Sequence, residues 1–124
     1  VSGPLRGVVA AHGELATGLV RAAEEISGVR GVLIPVTNAD CDRGELERRI
    51  AAAMGDGPGV VFVDMPSGSC LFAALHDLRG WTNVRVVTGV NLAMLLDFVF
   101  HRELDVDAAV ERAVATGARA IVVR

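Results

Sequence analysis

The chain has 124 residues, 52% of them hydrophobic and 22% charged, with a net charge of −3. That composition suits one folded domain with a proper core, and the acidic balance with four phenylalanines and one tryptophan argues against nucleic acid as a partner. All twelve basic residues are arginine and there is no tyrosine, which excludes a P-loop lysine, a Schiff-base lysine and a lysine general base.

Val1–Pro4 reads as a tag remnant or disordered N-terminus, and residues 5–124 as the domain. Val8–Ala11 is a short apolar strand that ends in His12-Gly13. A helix follows over Leu15–Ile26, with Leu15, Leu19, Ala22, Ala23 and Ile26 at helical spacing. Ser27-Gly28 closes it, glycine being the natural left-handed stop. Gly31–Val36 reads as a second strand, placed at an edge because Pro35 cannot donate to a ladder. Thr37–Gly44 is a polar loop. Asp42 with Glu45 three residues on starts a second helix, which runs to Met54 over Leu46, Ile50 and Ala53.

Gly59–Asp64 is a third strand, apolar up to Asp64 and so expected to be central. Met65–Ser69 leads to a helix over Cys70–Arg79 with Leu71, Leu75 and Leu78 inward. Val84–Thr88 is a fourth strand, followed by Gly89-Val90-Asn91. The next helix, Leu92–His101, is apolar nearly all round and belongs in the core or at a subunit contact. Asp105 caps a last helix, Val106–Thr116, which Gly117 ends, and Ala120–Val123 reads as a last strand.

Alternating strands and helices predict an α/β fold of three layers, α-β-α, around a mostly parallel sheet of order 2-1-3-4. In that order the first and third strands are neighbours, so His12 and Asp64 share one sheet edge, where ligands of open α/β sheets bind. A neutral imidazole can attack phosphorus through one ring nitrogen while a carboxylate holds the proton of the other. Ser67, Gly68 and Ser69 supply backbone amides and two hydroxyls at a helix N-terminus, a natural anion site. The plainer alternatives are a helix-capping His12 and a turn-forming Asp64. His76 and His101 show no metal-ligand spacing, and Cys70 at a helix start reads as a packing or capping residue. Asn38–Gly44 fails as a calcium loop, with Arg43 and Arg49 where glycine and glutamate belong. Two cysteines make no disulfide framework, and without an export signal a reducing cytoplasm is the expected compartment.

The strand-His-Gly start, the Asp-x-x-x-Gly-Ser turn and the Gly-Val-Asn segment, in this order, resemble the IIA domains of the mannose family of the bacterial phosphotransferase system (PTS). The resemblance runs from Leu5 to Arg124. It implies a phosphotransferase component with a phosphohistidine intermediate. His12 would take a phosphoryl group from the small carrier HPr and pass it to a IIB component for sugar uptake or regulation. Asp64 would be the hydrogen-bonding aspartate and Ser69 the serine contacting the phosphoryl group, with Ser67 and Gly68 beside it. The resemblance implies no metal or organic cofactor. It implies a homodimer in which the C-terminal strand crosses to the partner's sheet, and a membrane link only through IIC and IID components. Two segments depart from the family pattern: Ser67-Gly68-Ser69-Cys70 replaces Gly-Gly-Ser-Pro, and Ala93 replaces a proline. A regulatory module whose partner contact is switched by His12 phosphorylation is the alternative. A tetrapyrrole metal chelatase and a dihydroxyacetone-kinase phosphodonor subunit are weaker ones.

Overall fold

The computed structural model describes residues 4–78 and 80–124, Asp77 by its backbone alone. Residues 1–3 of the remnant expected over Val1–Pro4, and the helix end expected at Arg79, lie outside the described residues. The elements are β1 (Arg6–Ala11), α1 (Leu15–Ser27), β2 (Leu33–Thr37), α2 (Arg43–Met54), β3 (Gly59–Val63), α3 (Ser69–Leu78), β4 (Val84–Thr88), α4 (Leu92–Phe100) and α5 (Val106–Arg119). The four strands are all parallel, in the expected order β2-β1-β3-β4.

Side chains alternate across a strand, so this sheet feeds two cores. Val9, Ala11, Val60 and Phe62 face one way and pack with α1, α4 and α5. Val8, Ala10, Val61 and Val63 face the other way and pack with α2 and α3. β3 is buried at every residue, as its unbroken apolar run predicts. β2, with Pro35, lies at an edge. The Phe62 and Phe98 rings meet edge-on at 5.1 Å and tie the sheet to α4. Asp42 and Asp105 cap as expected, accepting from the Glu45 and Ala108 amides at 2.8 and 2.9 Å.

Two helices turn inward a face that only partly matches the one expected: Ala23 and Leu78 are buried, and Leu19 and Leu71 pack against the cores. On α1 the buried residues are Ala16, Val20 and Ala23, while Leu15 and Ile26 are exposed. On α3 they are Cys70, Ala73, Ala74 and Leu78, while Leu75 is exposed. Small side chains face the sheet in both cases. They let the helix axis approach a flat apolar surface that leucines would hold away.

The C-terminus departs further. Gly117 does not stop α5, which continues to Arg119. A methyl group at Gly117 would stand 3.0 Å from Met94 Cε and 3.1 Å from Asn91 Oδ1, so the residue is the close-approach point of α4 and α5. The Gly117 carbonyl accepts from Asn91 Nδ2 at 2.9 Å. Beyond the helix, Ala120 and Ile121 still donate to the Thr116 and Ala118 carbonyls. Ala120–Val123 consequently forms no strand in this chain's own sheet, and Ile121, Val122 and Val123 are exposed.

Gly117→Ala should destabilise the fold by about 1–2 kcal/mol through overpacking, against the gain of ~1 kcal/mol that an open helical glycine would give. Urea denaturation measures it. A stabilised variant would show that α4 and α5 are not in close contact there.

Candidate functional site

β1 and β3 pair with Ala10 opposite Val63, where β3 ends, and β1 runs one residue further to Ala11. The next residues out are His12 and Asp64. The His12 amide donates to Asp64 Oδ2 at 3.0 Å, and His12 Nδ1 lies 2.7 Å from the same oxygen. An ionised carboxylate only accepts, so Nδ1 carries the proton and the lone pair of the neutral imidazole is on Nε2. The Asp64 side chain is 8% exposed and that of His12 42%. Burial pushes the Asp64 carboxyl up, but the hydrogen bonds from the His12 ring and amide, with the ring's charge, outweigh it. The net result is a carboxyl below its ordinary range. Its second oxygen, Oδ1, is enclosed with no hydrogen-bond partner among the described residues.

The β3–α3 loop passes along the ring. Gly68 has φ +96°, and a methyl group there would stand 3.6 Å from His12 Cε1 and 3.8 Å from Nε2. The first bond of α3 runs from the Phe72 amide to the Gly68 carbonyl. The amides of Ser69, Cys70 and Leu71 precede that bond and have no partner within the helix. Ser67 is exposed at the loop tip. The structure thus brings His12, Asp64, Gly68 and Ser69 to one edge, with Ser67 on its rim.

One residue at this edge escaped the sequence reading. Asn38, just past β2, accepts from the Gly13 amide at 3.2 Å and reaches Ser69 Oγ with its Nδ2 at 3.5 Å. Thr37 Oγ1 donates to the Gly13 carbonyl at 2.7 Å. The loops after β1, β2 and β3 are thereby tied together. An amide side chain immediately after the strand flanking β1 was the available signal. Asn91 serves α4 and α5 instead, accepting from the Met94 amide at 3.0 Å. His76 pairs with Glu47 at 2.9 Å on the α2–α3 surface, and His101 Nδ1 lies 2.7 Å from the Asp97 carbonyl at the end of α4. Cys70 is buried; burial first, then the charge of Asp64, pushes its thiol up to about 11. That is opposite in sign to a reactive cysteine at a helix start. Donor atoms of His12, Asp64 and Cys70 lie within 4.8 Å of one another.

Fold and site together define an open α/β protein with a histidine–aspartate pair at the carboxyl edge of its sheet. Residues 7–115 match the family described as the PTS system fructose IIA component, EIIA-man, and the chain belongs to that family. It is thus a component of the sugar phosphotransferase system. The structure is similar to the PTS component EIIA of Streptococcus agalactiae, with TM-score 0.87 and 21% identity over 95% of each chain. It is similar to the mannose/sorbose-specific IIA subunit of Enterococcus faecalis, with TM-score 0.85 and 21% identity over 98% of this chain and 96% of that one. A putative sugar PTS permease from Klebsiella pneumoniae aligns with TM-score 0.86 and 17% identity over 99% and 94%. Among curated proteins none matches the chain in sequence. Among the described residues, no helix is long and apolar enough to cross a membrane.

The Asp64 carboxyl is lowered from an ordinary value of 3.8. Its contribution to stability is therefore present above that value and lost as pH falls through the folded-state value. The stability difference between wild type and Asp64→Asn should be full above about pH 4 and shrink as the pH falls further. Thermal melts across the acid range measure it. A difference that does not change with pH would show that His12 does not hold the carboxylate in its charged form.

Proposed function

We propose that the protein is a histidine phosphocarrier that accepts a phosphoryl group from phospho-HPr on His12 and passes it to a IIB component. The observation that carries this reading is the 2.7 Å contact between His12 Nδ1 and Asp64 Oδ2, which leaves Nε2 as the ring's nucleophilic atom. In the transfer, the Nε2 lone pair attacks the phosphorus of the donor phosphohistidine. The new N–P bond forms as the donor's N–P bond breaks, and the donor imidazole leaves with that electron pair. His12 keeps its Nδ1 proton, and Asp64 offsets the positive charge that develops on the ring.

The phosphoryl oxygens are received by the amides at the start of α3 and by the Ser69 hydroxyl, with Ser67 on the rim. The cavities beside Pro35 and Arg49 and beside Leu78 and Trp81 are lined by neither His12 nor Asp64. An exposed histidine on an open sheet edge suits a donor that presents its own phosphohistidine across a protein interface. Transfer onward to IIB uses the same open edge in reverse.

We also infer a homodimer in which Ala120–Val123 pairs with the partner's sheet. Ile121, Val122 and Val123 are 78, 60 and 99% exposed, which is uneconomical for a β-branched run unless another chain covers it.

His12→Ala should abolish acid-labile labelling from phosphoenolpyruvate through HPr, and persistent labelling would sink the assignment. Asp64→Asn should slow labelling on the order of 10²-fold or more, because the ring loses its orienting acceptor. Rapid-quench measurements with labelled donor check the rate. Truncation after Ala120 should convert a dimer to a monomer in sedimentation. A full chain that sediments as a monomer would contradict the exchange.

A further inference from the structure

We propose that His12, Asp64 and Cys70 form a binding site for a soft divalent cation of the zinc type. The donor set is one imidazole, one carboxylate and one thiol, with the donor atoms mutually within 4.8 Å. A tetrahedral zinc ion with bonds of about 2.0 Å to nitrogen and oxygen and 2.3 Å to sulfur holds its ligand atoms roughly 3.3–3.5 Å apart. His12 Nδ1 and Asp64 Oδ2 stand at 2.7 Å, so admitting the ion asks them to part by well under 1 Å.

A second observation points to the same ligand. Asp64 Oδ1 is enclosed with no hydrogen-bond partner, on a side chain only 8% exposed. An unpartnered carboxylate oxygen in a buried setting is costly, and a bound cation answers it. The fourth position is left to a water ligand, as in zinc sites with three protein ligands. The thiol excludes magnesium and calcium, which take oxygen ligands, and favours zinc or cobalt.

Binding balances simply. The ion takes the place of the proton on Nδ1, which moves to Nε2, and the Asp64 carboxylate holds the ion through both oxygens, Oδ1 included. The Cys70 sulfur binds as thiolate, and its proton is released to water. One consequence rests on the phosphocarrier reading: with Nε2 protonated, the bound ion withdraws the nucleophile, so zinc switches phosphoryl acceptance off.

Cobalt(II) is the probe, added to the whole 124-residue chain. Wild type and Cys41→Ser should each show a thiolate-to-cobalt charge-transfer band saturating at one equivalent and displaced by zinc but not magnesium. Cys70→Ala should lose the band, and Cys70→Ser should bind zinc about 10-fold or more weakly, with far-ultraviolet circular dichroism confirming the fold of each variant. Absence of the band from wild type, its persistence in Cys70→Ala, or its loss in a folded Cys41→Ser would overturn the site. These readings do not involve phosphoryl transfer, so labelling by HPr in metal-free buffer tests the other reading separately.

Discussion

The pairing of β1 with β3 is the constraint on which the rest of this structure depends. Both strands are covered on both faces, so every ladder hydrogen bond between them must be made and no water can substitute. Register is fixed just as firmly. A slip of one residue would carry Val8 and Ala10 to the face that now holds Val9 and Ala11, and would mismatch both cores. Gly59 enforces the register at the other end, because a methyl group there would come within 2.3 Å of the Arg6 carbonyl oxygen and 2.7 Å of Met54 Sδ. With the strands locked, the residues leaving them have no freedom of level. His12 and Asp64 meet because the sheet has no other way to pack.

That meeting has an electrostatic character set by depth. Asp64 sits at the mouth of the sheet, shielded from solvent, while His12 lies over it, half in water. One carboxylate oxygen takes two donors from the same residue, amide and ring, and the other takes none. The carboxylate is held in its charged form by a single neighbour. Any change in the charge or occupancy of the His12 ring is therefore felt by Asp64 at short range in a weakly screened setting. The loops around the pair are stiffened by Thr37 and Asn38 gripping Gly13, so the ring's position does not rest on Asp64 alone.

Much of this was legible in the residues. Alternating apolar runs and helical periodicity gave the element order. Pro35 gave the edge, the unbroken run before Asp64 gave a central strand, and the right-handed crossover rule then made His12 and Asp64 neighbours. What could not be read were features decided by close approach between elements. Periodicity weights leucine above alanine, yet Ala16, Ala23, Ala73 and Ala74 face the sheet because the helices come near enough to exclude larger groups. Gly117 looks like a helix stop and is an interhelical contact, a distinction that lies in Met94 and Asn91 rather than in the local sequence. Asn38 was hidden for a related reason: a polar residue in a polar loop gains meaning only when the loop beside it is known.

The same logic bears on Cys70. Its position in the first turn of α3, next to Ser69, puts it under the His12–Asp64 pair rather than on the surface. Burial and the charge of Asp64 both disfavour its thiolate, so as a free thiol it is inert packing. A proline at that position, which the resemblance implies for the family, carries no donor atom. What Cys70 adds is a third ligand beside a carboxylate oxygen that has no partner, and only a cation makes use of both.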